Sequence, residues 1–160
     1  MGEEERYTLT ESHRWFAVDL FNHTWDLLDK ENRTSGEDER MIHAAHASRF
    51  HWGEVGEPRN LAVGEWQIAR VYATLSRPQS SLRHAKRSLE ILEENSISGF
   101  HRASAYEGIA RAHSVAGDAS EARRFIQLAR EEAEQITDPE EKELLFDQLS
   151  EIPESSESDS

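Results

Sequence analysis

Apolar residues recur along this chain at three- and four-residue intervals, and each run is bounded by capping or turn residues, which predicts helices throughout. Thr8 with Glu11 three residues later has the form of a capping box and opens a helix running to about Asp29–Arg33. Ser35 with Asp38 marks a second start, and that helix runs to about Trp52, with a turn over Gly53 to Pro58. Pro58 and Pro78 suit the first positions of helices 3 and 4, which end near Leu75 and Asn95. Helix 5 runs from near Gly99 to Gly117, and Asp118, followed by Glu121, caps helix 6. Asp138 and Pro139 open helix 7, which stops before Pro153. Leu144, Leu145, Leu149 and Ile152 give that last helix one apolar side.

The pattern repeats. An offset of 41 residues, that from Trp25 to Trp66, also brings Leu27 onto Ile68 and Ile109, Ala69 onto Ala110, and Arg70 onto Arg111. Turns coincide at Ser35, Ser76 and Gly117. In the second helices Ala47, Ser88 and Ala129 coincide, and His43 falls on His84. Each unit is a helical hairpin that cannot bury its apolar stripe alone, so the units must stack. The expectation is an all-α fold, a right-handed superhelix of three stacked hairpins plus a C-terminal capping helix. It forms one domain over residues 8–152, with a flexible start (1–7) and a disordered acidic tail (153–160).

Residues 105–133 carry the clearest family signature. Ala110 stands at the small position of a first helix, Gly117–Asp118 at the turn, and Ala122 and Ala129 at the small positions of a second helix. In these positions the segment resembles a tetratricopeptide repeat. The middle unit resembles one through Ala69, Tyr72, Ser81 and Ser88. The spacing exceeds the family's usual length of about 34 residues, which implies longer connections. The resemblance implies a concave groove lined by the first helices. Its groove positions fall on Trp25 and Asp29, Trp66 and Arg70, and Glu107 and Arg111. Trp25 and Asp29 stand where the carboxylate clamp of chaperone-binding relatives has Lys and Asn, so that kind of partner is disfavoured. Two tryptophans and two arginines on one face suit a peptide segment of another protein or a small anion. The same tryptophans read equally well as core.

Composition narrows the chemistry. The absence of cysteine excludes disulfides, thiolate metal sites and cysteine nucleophiles. The acidic start has no apolar segment of a signal peptide, and no run approaches the length of a membrane span, so a cytoplasmic protein is expected. The net charge of −14 is uneven. Residues 131–160 hold 12 Asp/Glu against one Lys, while residues 1–130 hold 20 against 17 Lys/Arg. Such a chain is no natural partner of duplex nucleic acid. Neither a nucleophile elbow, nor a phosphate loop, nor a dinucleotide fingerprint is present.

Histidine is the second feature. His43, His46 and His51 fall within nine residues, and Asp19 and His23, like Glu39 and His43, are spaced to share a helix face. With Glu65 and Glu107 they suggest an alternative: a metal- or small-molecule-binding pocket between the first two hairpins. Asp19, His23, His43, His46 and Glu65 would be its ligands or acid–base groups, and zinc, iron or manganese its metal. No cofactor is required by the leading reading, a non-enzymatic binding module.

Overall fold

A computed structural model describes residues 4–153; the remaining parts of the expected flexible start and acidic tail lie outside the described residues. Seven α-helices occur among them and no strand: α1 (Leu9–Leu28), α2 (Ser35–Val55), α3 (Pro58–Thr74), α4 (Pro78–Glu94), α5 (Phe100–Val115), α6 (Ala119–Glu134) and α7 (Pro139–Ser150). Helices α1/α2, α3/α4 and α5/α6 pack as hairpins, successive hairpins stack, and α7 lies against α5 and α6.

The caps explain most boundaries. Thr8 and Glu11 make the full reciprocal box at α1. At α2 the box is built one residue earlier than the sequence suggested, by Thr34 and Glu37. Both frames offer a hydroxyl and an acid three apart, and Thr34 wins because Glu37 reaches back to its N–H. Helix α2 also continues through Gly53 to Val55, so the turn is confined to Gly56–Glu57. Asp138 accepts from the N–H groups of both Glu140 and Glu141 at the start of α7.

Small residues let paired helices approach closely. The Ser48 hydroxyl donates to the Ala17 carbonyl, Ser81 to Ala69, and Ser88 to Ala62, each at 2.8 Å. These bonds place Ser48, not Ala47, in the role of Ser88. Between α2 and α4 the true register is therefore 40, and His43, exposed, is not the counterpart of the half-buried His84. The first hairpin's loop, residues 29–34, is three residues longer than the loops 75–77 and 116–118 of the other two hairpins, so the 41-residue offset does not hold throughout the first unit. Those shorter turns need left-handed backbone, at Ser76 (φ 57°) and Gly117 (φ 81°).

The core follows the stack. Leu27, Met41, Ala45, Ile68 and Val71 join the first two hairpins. Ala69, Ala85 and Ile109 join the second and third. Leu145 and Leu149 of α7, with Ile152 just past its end, close the far end over Ala110, Ile126 and Ala129. Leu144 departs from its expected place in that stripe: it is 49% exposed and turns toward a cleft.

Candidate functional site

The first helices line up equivalent positions of successive hairpins, and these positions meet. Trp25 and Trp66 lie with ring centroids 5.7 Å apart and planes inclined by 42°. The Trp66 indole N–H donates to Glu107 across 3.0 Å. One turn further along each helix stand Asp29, Arg70 and Arg111. Glu107 is fully buried and accepts from the Arg111 Nε at 2.7 Å, while the Arg70 Nη1 lies 3.8 Å from it.

Helix α7 adds what the sequence did not indicate. Glu151, just past its end, accepts from Arg70 at 2.8 Å and from Arg111 at 3.3 Å, and the Gln148 carbonyl accepts from Arg111 at 3.2 Å. The two arginines thus hold α7 across the groove. Both guanidinium groups are paired with carboxylates, while the buried Arg70 Nη1 has no hydrogen-bond partner among the described residues.

Between α1, α3, α5 and α7 a cleft of about 670 Å³ remains. Four of the six groove residues named from the sequence, Trp25, Asp29, Trp66 and Arg70, line it; Glu107 and Arg111 sit behind them. The tryptophans combine both readings, for Trp66 is 9% exposed and Trp25 half-buried, yet both form cleft wall. Phe21, Phe100, His101, Leu144, Asp147 and Gln148 also line it. Phe100 and His101 belong to the start of α5, and the N–H of Gly99, which caps that helix, donates to the Glu132 carboxylate at 2.7 Å. Burial, and then the charge of Arg59, lower the His101 pKa, which favours a neutral ring. The Gln148 Oε1 is buried with no hydrogen-bond donor from the described residues.

The histidines do not form the pocket that their spacing suggested. His23 accepts from the Arg40 Nε at 2.9 Å. His43 is exposed, 3.8 Å from Glu39. His46 pairs with the Tyr72 hydroxyl at 2.9 Å, and Asp19 is exposed on α1. Glu65 is held by the Arg49 Nε at 3.1 Å and the His84 Nδ1 at 2.7 Å. Residue spacing along α2 put His43 and His46 on neighbouring turns, but only His46 faces α3. His51 turns to His13, with their Nδ1 atoms 2.8 Å apart. Among the described residues no group of three or more His, Asp or Glu is placed to hold a metal ion.

These internal pairs have electrostatic consequences. Burial pushes the Glu65 carboxyl up, but the His84 and Arg49 bonds outweigh it and leave the pKa lowered. Burial lowers the His46 pKa, and the charge of His84 lowers it further. His51 is lowered by burial and by His13. The partner that satisfies Glu65, His84, was visible in the sequence only as a histidine in the next hairpin.

No helix among the described residues is long and apolar enough to cross a membrane. No protein-family model matches the chain, and no curated protein or solved structure is significantly similar to it.

Proposed function

We propose that the protein is a non-enzymatic interaction module of the tetratricopeptide-repeat type that binds a peptide segment of another protein in its first-helix groove. The observation that carries this reading is the cleft itself. Its size is within the range of about 300–1,000 Å³ typical of ligand sites. Its walls combine aromatic side chains brought to one face by three consecutive first helices, Phe21, Trp25, Trp66 and Phe100, with charged and amide groups that include Asp29, Arg70, Asp147 and Gln148. A concave site that joins apolar walls to a few convergent polar groups is the usual form of a recognition site. Arg70 and Arg111 act in this reading as struts that fix α7, and Trp25 and Trp66 as the contact surface.

The test is selection of binding peptides from a random library on the intact protein, followed by hydrogen exchange of the complex. Protection is expected in α1, α3 and α5, with Trp25→Ala abolishing binding while the helical circular dichroism is kept. Protection confined to the exposed Trp15, Phe16 and Phe50 at the other end of α1 and α2 would reject the groove.

A further inference from the structure

Resting on that reading, we infer that the cleft selects a basic peptide segment, one that places a lysine or arginine between apolar residues. Four carboxylates gather at or directly behind it, from Asp29, Glu107, Asp147 and Glu151, against the two guanidinium groups of Arg70 and Arg111. Both arginines are committed, each to Glu107 and Glu151. Asp29 and Asp147 form no ion pair among the described residues, so two carboxylates at the rim have no cation bound to them, while the charge of Arg59 reaches His101 of the same wall.

Two buried polar atoms of the lining residues have no hydrogen-bond partner among the described residues, Gln148 Oε1 and Arg70 Nη1, and the second already faces the Glu107 carboxylate at 3.8 Å. Gln148 Oε1 is an acceptor, so a ligand N–H satisfies it and a carboxylate does not. The walls suit the rest of such a side chain. Phe21, Trp25 and Phe100 offer apolar surface to an aliphatic stem, and aromatic faces attract a cationic head. Arg70 already uses this attraction, with its guanidinium carbon 5.9 Å from the Trp25 ring centre. The long-range field agrees: the last thirty residues of the sequence, which supply α7 as a wall of the cleft, hold 12 acids and one lysine. A basic segment is drawn to that end of the molecule and an acidic one is repelled.

The experiment uses three acetylated and amidated octapeptides of alternating leucine with lysine, glutamine or glutamate. They are titrated into the full chain while the indole N–H resonances of Trp25 and Trp66 are followed. The lysine peptide is expected to bind about tenfold more tightly than the glutamine peptide, and the glutamate peptide more weakly than either. In the double variant Asp29→Asn, Asp147→Asn that advantage falls to about threefold or less, while the control Glu54→Gln, Glu131→Gln keeps it. Helical circular dichroism of each variant verifies folding. Equal affinity for the lysine and glutamine peptides overturns the inference. So does an equal loss in both double variants, which would mean bulk charge alone, or a lysine peptide that shifts only the Trp15 and Trp52 indoles. If the glutamine peptide still shifts Trp25 and Trp66, the groove reading stands without the charge preference. If none of the three shifts them, both readings fall.

Discussion

The Trp66 indole donates to the buried Glu107 carboxylate across 3.0 Å, and the two residues stand 41 positions apart at the same place in successive hairpins. The repeat offset is therefore also a contact. Glu107 in turn anchors Arg111 and lies beside Arg70, so its removal leaves the buried indole N–H unpaired and two cations to share Glu151. Glu107→Ala is expected to destabilise by about 3 kcal/mol, and Trp66→Phe, which loses only the donor and some packing, by about 1–2 kcal/mol. Urea unfolding of both singles and the double variant measures this. Strict additivity would show that the bond contributes nothing of its own.

Gly108 gives the indole its place. A Cβ there would lie 3.1 Å from the Trp66 Cδ1 and 3.5 Å from the Ala85 Cβ. Gly108→Ala gains about 1 kcal/mol of helix propensity, but Trp66 is fixed by Glu107 and cannot retreat freely. A net loss of about 1 kcal/mol is expected, with an altered near-ultraviolet dichroism of tryptophan. A stabilised variant with unchanged tryptophan signals would show that the ring yields easily.

Ser76 offers the opposite case. It holds φ 57° at the place where the next hairpin has Gly117, and the chain closes behind it with the Arg77 N–H donating to the Tyr72 carbonyl at 2.8 Å. Glycine adopts that backbone without strain, so Ser76→Gly should stabilise by about 0.5–1 kcal/mol. A lower unfolding midpoint would contradict the turn geometry.

Acid should weaken the protein in two stages. His46, His51 and His101 all have folded pKa values below the usual 6.5, through burial and neighbouring positive groups. As pH falls below that value the unfolded chain binds protons first, so the stability due to the neutral rings is present above it and is lost on acidification. The contribution of Glu65, lowered from the usual 4.5, persists above that value and disappears as pH drops through its folded one. Urea midpoints measured from pH 7 to 3.5 should decline in both windows. His46→Gln should flatten the upper one, and a level profile between pH 7 and 5 would refute the assignment.

Sequence periodicity reached as far as local physics decides the outcome. Caps such as Thr8, Asp118 and Asp138 act within one turn, and the prolines at 58 and 78 act on their own residue, so these boundaries were legible. At Thr34 two overlapping frames were available, and only the reach of Glu37 separated them. The column Trp25, Trp66, Glu107 followed from the offset. The cleft did not, because half of its character comes from α7, which carries no copy of the repeat and whose Glu151 finds Arg70 only through the fold. The histidines misled for a related reason. Spacing reports which side chains share a helix face, while the partners of His46 and Glu65 are on α3 and α4.

The clasp of Glu151 on Arg70 gives the molecule a direction. It ties the C-terminal helix back to the middle hairpin, so α3 through α7 are fastened from both sides. Hairpin α1/α2 packs on the rest mainly through α3, with His46 also meeting the His84 ring of α4, and among the described residues it has no such fastening. Thermal motion should therefore work inward from the N-terminal end, with amides of α1 and α2 exchanging while those of α5 stay protected. Since Trp25 belongs to the loosely held hairpin and Trp66 to the fastened body, the cleft would come apart at the seam between them well before the protein unfolds.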